Sequence, residues 1–132
     1  MGLSDSRVTA IVPVSDMETA KSFYEGKLGL SEHEDQPDGG RTYICGEGTR
    51  IHVYPSPANA GKSGATTAGW TVDDVEGTVD ELTARGVTFE QYGDPFPFPT
   101  NEKGISTMEG QSVAWLKDPD GNILALEDVL DA

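Results

Sequence analysis

The chain repeats itself. Val12-Pro13-Val14-Ser15-Asp16-Met17-Glu18 returns as Trp70-Thr71-Val72-Asp73-Asp74-Val75-Glu76, 58 positions further on. Self-similarity at a fixed offset means one supersecondary unit used twice, each copy burying its apolar face with help from the other. In both copies a short apolar stretch of strand character runs into a capping box, Ser15 with Glu18 and Asp73 with Glu76. There the side chains satisfy the backbone N–H groups that a helix start leaves without partners. The pattern predicts helices over 16–27 and 74–85. The first carries Ala20, Phe23 and Tyr24 on one stripe and ends near Gly29; the second carries Val75, Val79 and Leu82 and ends at Gly86.

Strand patterns follow each helix, at 30–34, 41–45 and 50–54 and then at 87–92, 112–117 and 123–127. The unit is therefore βαβββ, written twice. Gly46-Glu47-Gly48-Thr49 precedes one closing strand and Asp118-Pro119-Asp120-Gly121-Asn122 the other. Gly48 and Gly121 are 73 apart while the helix-ending glycines are 57 apart, so the second copy carries about 16 extra residues, expected within 93–110. The reading is one domain over 1–132, with module 1 at 6–56, module 2 at 66–130 and a Pro-, Ala-, Gly- and Ser-rich linker at 57–65. A length of 132 residues suits one core and not two.

Charge narrows the partners. Nine Lys and Arg against 23 Asp and Glu give a net charge of -14, a field that repels phosphate backbones and anionic lipid. Nucleic acid and membrane are not expected partners; the charge serves solubility or steers a cationic ligand. No apolar run approaches the roughly 20 residues that span a bilayer, and Met1-Gly2-Leu3-Ser4-Asp5 has no signal-peptide character. A cytoplasmic location is expected. The single Cys45, flanked by apolar residues, excludes an internal disulfide and reads as core. No dinucleotide fingerprint, Walker sequence, nucleophile elbow or His-Glu-x-x-His occurs, so no cofactor is expected. Gly61-Lys62-Ser63-Gly64 lacks the upstream glycine of a phosphate loop and reads as linker. Asp118-Pro119-Asp120-Gly121-Asn122 lacks the remaining ligands of a calcium loop and reads as a tight turn.

The order and spacing of Val12-Pro13-Val14-Ser15-Asp16-Met17, Phe23-Tyr24 with Leu28-Gly29-Leu30, Val72-Asp73-Asp74-Val75, Ala84-Arg85-Gly86-Val87 and Ala114-Trp115-Leu116-Lys117-Asp118-Pro119-Asp120-Gly121-Asn122 resemble the vicinal oxygen chelate superfamily. This is also called the glyoxalase, bleomycin resistance and extradiol dioxygenase superfamily. The resemblance covers residues 7–129. It implies an α+β fold in which two βαβββ modules curl mixed sheets around a shared cleft, usually completed in a homodimer. It also implies where a metal would sit in metal-using relatives: one ligand from the first and last strand of each module. Those positions are Thr9, His52, Thr67 and Ala125. Only His52 is a usual ligand; adding Glu127, two residues beyond Ala125 on the same face, makes two, and an open catalytic site needs three. No metal is expected. His33, in Glu32-His33-Glu34-Asp35, reads as a solvated turn.

With Thr9, His52, Thr67 and Ala125 facing the cleft as the resemblance implies, alternation along the strands adds Ile11 and Tyr54 on the face of module 1 and Gly69 and Glu127 on that of module 2. The surplus segment adds Phe96 and Phe98 among prolines, either closing over a ring-bearing ligand or plugging the end of the sheet or the dimer seam. Trp70 and Trp115 read as core or interface. Three function classes follow. The resemblance to bleomycin resistance proteins implies a metal-free module binding a small hydrophobic or aromatic, cationic molecule. The second class is a metal-independent enzyme with His52, aided by Tyr54 or Glu127, as general acid or base. The third is a metal-dependent lyase, isomerase or dioxygenase of the glyoxalase type, which the ligand mapping disfavours.

Overall fold

Val12 and Val14 fall on one face of the first strand, and burying two such side chains requires that face to be covered. A computed structural model, which describes residues 2–93 and 99–128, shows what covers it. Strand β1 (Thr9–Val14) leads into a short helix α1 (Met17–Lys21) that continues as a π-helical turn, Ser22–Lys27. Strands β2 (His33–Asp35), β3 (Arg41–Ile44) and β4 (Arg50–Pro55) follow. They form a sheet in the order β1-β4-β3-β2, with β1 and β4 parallel and the other pairs antiparallel. Module 2 repeats the plan with β5 (Thr66–Thr71), α2 (Val75–Ala84), β6 (Ile105–Met108), β7 (Gln111–Lys117) and β8 (Ile123–Glu127), in the order β5-β8-β7-β6. The two βαβββ modules expected from the repeat are present, each with a mixed four-stranded sheet.

Both helices start one residue later than the capping boxes predict. Asp16 accepts from the Glu18 N–H at 3.0 Å, and Asp74 accepts from the Gly77 N–H at 3.0 Å. Ser15 is committed elsewhere: its N–H and hydroxyl both donate to Asp120, at 3.0 and 2.5 Å. The Asp side chain one position on is the remaining N-cap acceptor. The first helix also changes register within its run, Leu28 donating its N–H to Phe23 O, five residues back.

The outer strands differ from the sequence reading. In module 1 the strand expected at 30–34 is only His33–Asp35. In module 2 the segment 87–92 makes a single bridge, Phe89 against Leu116, and the outer strand is β6, inside the stretch read as surplus. The extra residues therefore lie between α2 and β6. A two-residue turn joins β6 to β7, and both of its residues, Glu109 (φ 51°) and Gly110 (φ 84°), are left-handed. That geometry matches the twist of a tight hairpin and fixes the strand register.

The helix-covered faces of both sheets merge into one core. Val12, Val14, Tyr24, Tyr43 and Val53 from module 1 and Val79, Leu116 and Leu124 from module 2 are all fully buried. Each such aliphatic side chain contributes roughly 1.5–3 kcal/mol, so the helical sides form the stable centre of the molecule. The opposite faces of the two sheets carry Thr42 and His52 in module 1 and Ser106 and Trp115 in module 2. Cys45 is half-buried against the core, as its apolar flanks imply.

Candidate functional site

The strand register assembles the site in rows. Across the first sheet, Ile11 stands beside His52 and His52 opposite Thr42. Across the second, Gly69 stands beside Ala125 and Ala125 opposite Trp115. His52 and Ala125, 73 apart in sequence, thus occupy equivalent places in the two modules. Each face lines its own open depression, and the two share no lining residue.

The depression on module 1 has a volume of about 490 Å³ and is lined by Thr9, Ile11, Thr42, Arg50 and His52, with Gln36, Pro37 and Asp38 from the β2–β3 turn. His52 is fixed at both ring nitrogens. Nε2 lies 2.7 Å from Asp38 Oδ2 and Nδ1 3.0 Å from Thr42 Oγ1. Asp38 Oδ1 accepts the Gly40 N–H at 2.8 Å. The hydrogen bonds from His52 and Gly40 hold the Asp38 carboxyl below the usual carboxylate range. Gly40 has no room for a side chain, since a Cβ would run into the Val53 carbonyl; this close approach lets the turn fold back over His52. Tyr54, next along the face, stacks parallel to the His52 ring with centroids 5.8 Å apart.

The depression on module 2 is larger, about 640 Å³. Thr67, Gly69, Ala125 and Glu127 line it, joined by Ser106, Met108, Glu109, Gln111, Val113 and Trp115. Trp115 was expected in core or interface; it is half-buried on this face, with Tyr92 edge-on to its ring at 5.5 Å. Trp70 does pack against the core. Among the described residues the Glu127 carboxylate makes no side-chain hydrogen bond or ion pair, so a carboxylate acceptor shares this depression with an indole. Phe96 and Phe98 lie outside the described residues.

The residues present do not fit a metal ion. Thr9, His52, Thr67 and Ala125 fall on the two faces as mapped, His52 is already held by Asp38 and Thr42, and among the described residues no three His, Cys, Asp or Glu side chains converge. His33 lies exposed on β2 with Nδ1 3.2 Å from the Ser31 carbonyl. Sequence reasoning missed Asp38, Thr42 and Trp115. The signal for the first two was the turn Pro37-Asp38-Gly39-Gly40, which an antiparallel pairing of 41–44 with 50–53 carries back toward His52.

Two βαβββ modules with mixed sheets and polar faces turned away from a common core define a glyoxalase-like fold. The sequence profile of the Glyoxalase/Bleomycin resistance protein/Dioxygenase superfamily matches residues 7–126, and the chain belongs to that superfamily. A curated relative, the uncharacterized protein YetH of Bacillus subtilis (strain 168), is 26% identical over 126 residues, covering 91% of this chain and 95% of that protein. Among solved structures, TnmS3, an antibiotic binding protein from Streptomyces sp. CB03234, is 26% identical with a TM-score of 0.68, covering 98% of this chain and 100% of that one. A glyoxalase/bleomycin resistance protein from Catenulispora acidiphila DSM 44928 has a TM-score of 0.67 at 22% identity, covering 94% of this chain and 98% of that one. This second likeness is one of fold. No helix among the described residues is long and apolar enough to cross a membrane.

Proposed function

We propose that the chain is a metal-free binding module that holds a small hydrophobic or aromatic, cationic molecule against its two polar sheet faces. One observation carries the reading: the half-buried Trp115 lines the 640 Å³ depression, with Glu127, whose carboxylate has no ion-pair partner among the described residues, on the adjoining row. An indole offers a flat apolar surface for the ligand's ring, and the carboxylate beside it adds a field that favours a positive over a negative ligand. A site of this kind selects a ring with a positive group. The likeness to an antibiotic binding protein at 26% identity supports the same class of ligand. Phe96 and Phe98 are assigned to this recognition surface on the sequence reading alone.

The binding unit is a homodimer. Each depression is open, and their rims carry apolar residues left in solvent, Ile11 at 57% and Met108 at 49% exposure. A second copy laid across them covers these residues and closes a cleft between the module 1 face of one chain and the module 2 face of the other. Direct base catalysis by His52 is disfavoured, because Nε2 faces Asp38 and Nδ1 faces the enclosed Thr42 hydroxyl, so a substrate proton reaches the ring only by displacing one of these partners.

The test is a titration of chelator-treated protein with 1-naphthylmethylamine, monitored by isothermal titration calorimetry. Saturable binding that is lost in Trp115→Ala and kept in Trp70→Phe is expected. Binding that appears only on adding a divalent metal ion, or that ignores Trp115, overturns the reading.

A further inference from the structure

The module 1 face holds a directed chain of hydrogen bonds. An ionised Asp38 can only accept, so the proton between it and His52 sits on Nε2, and when the ring carries that one proton alone Nδ1 is an acceptor. Thr42 must then give its hydroxyl proton to Nδ1. Every proton in the chain is directed along it, from Thr42 through His52 to Asp38. What remains facing the depression are lone pairs, on the Thr42 hydroxyl oxygen and on the Asp38 carboxylate, the latter about half exposed at 46%. Thr42, at 6% exposure, and His52, at 17%, are too enclosed to turn away from this arrangement. Other groups on the same rim are Thr9 and Gln36, each of which can donate or accept, and Arg50, whose guanidinium is drawn to Glu34 at 3.8 Å.

We propose that Asp38 is the specificity-determining residue of the module 1 face: by orienting His52 and Thr42 it makes this wall an acceptor surface that takes ligands presenting a hydrogen-bond donor, such as a protonated amine, and rejects those presenting a carboxylate. The inference rests on the reading of the cleft as a small-molecule site and says which end of the ligand meets module 1. It gives Asp38 a role that net charge alone does not. The whole chain, at -14, favours any cation at long range, but that preference is diffuse and screened by salt, whereas an acceptor wall acts at contact.

Asn is the informative replacement. Its single oxygen cannot serve both Gly40 and His52. With the oxygen kept on the Gly40 N–H, the amide NH₂ faces Nε2, the ring proton moves to Nδ1 and Thr42 is freed to donate into the depression.

The test compares wild type, Asp38→Asn and a control of equal charge change at an exposed helix position, Glu18→Gln. Two probes with the same ring system are titrated at low and high salt, 1-naphthylmethylamine as the cation and 1-naphthoate as the anion, and the His52 ring nitrogens are read by NMR in the ligand-free protein. Wild type is expected to show the Nε2–H tautomer and to prefer the cation at both salt concentrations. Asp38→Asn is expected to shift the ring toward Nδ1–H and to cut the cation-to-anion preference by about tenfold, the scale of one charge-assisted hydrogen bond. Glu18→Gln leaves both unchanged. An unchanged tautomer in Asp38→Asn, or a preference that falls equally in Glu18→Gln, overturns the proposal while the cleft reading stands. Binding of neither probe to wild type overturns both.

Discussion

The phenol of Tyr24 donates to Asp118 Oδ2 at 2.8 Å, joining the helix of module 1 to the turn before the last strand of module 2 across 94 positions of sequence. Both groups are buried, and burial followed by the Asp118 charge pushes the Tyr24 hydroxyl far above its ordinary pKa. Asp118 also takes the Asn122 side-chain amide on the same oxygen at 2.8 Å, and the backbone N–H groups of Asp120 and Asn122 on the other. Asn122 in turn donates to the Pro13 carbonyl in β1 and accepts from Gly61 in the linker. The tight turn is therefore also a clasp that fixes the two modules, and with them the two polar faces, in one arrangement.

Tyr24→Phe keeps the ring and removes the donor. Asp118 retains Asn122 as a partner on that oxygen, so the expected loss is about 1.5 kcal/mol, the low end of the range for a hydrogen bond to a charged group. Urea unfolding should show a lower midpoint with an unchanged m-value. An unchanged midpoint contradicts the clasp.

Glu25 sets part of the acid limit. Burial pushes its carboxyl up, but hydrogen bonds from Tyr43 at 2.7 Å and Arg41 at 2.8 Å, with the Arg41 charge, outweigh this and hold it below the usual range. A folded pKa depressed below the unfolded value contributes stability that is complete above the unfolded pKa, roughly 4.3, and is lost as pH falls through the folded one. Glu25→Gln should accordingly be less stable than wild type at neutral pH, with the gap closing below about pH 4. A gap independent of pH would assign the effect to packing.

Chelator treatment should leave the thermal midpoint where it is, and added zinc, nickel or manganese should not raise it. Elemental analysis finding one such ion per chain, lost in His52→Ala, contradicts the metal-free account.

Light scattering at micromolar concentration should give twice the 14.1 kDa chain mass. Ile11→Asp places a charge on the exposed rim residue and should return the mass toward one chain with the circular dichroism spectrum intact. A wild-type protein of single-chain mass contradicts the shared cleft.

Much of the fold was legible because it is written twice. Val12 to Glu18 and Trp70 to Glu76 place both strand-to-helix junctions, and Gly29 and Gly86 both helix ends, within a residue or two of the structure. What failed depended on partners distant in sequence. Ser15 has the chemistry of an N-cap, yet Asp120, 105 residues away, claims it. Residues 87–92 have strand composition, but only Phe89 bridges to β7, and Ile105–Met108 takes the outer edge because the Glu109-Gly110 hairpin delivers it there. Of the lining residues, Thr9, His52, Thr67 and Ala125 followed from the family resemblance and Ile11, Gly69 and Glu127 from strand alternation, whereas Tyr54, expected beside them, stacks on His52 outside the lining. Asp38 did not, since a turn residue has no periodicity to betray which side chain it will meet.

The most direct test of the account is a map of amide chemical shifts during titration of chelator-treated, isotope-labelled protein with 1-naphthylmethylamine. The account predicts saturable shifts confined to the two polar faces, at Thr9, Thr42 and His52 on one and at Thr67, Trp115 and Glu127 on the other, with protein concentration in the dimer range. Saturable shifts clustered instead in the apolar cavity between Leu28, Leu30 and Leu82 on the helical side, or no shifts at all, would contradict it.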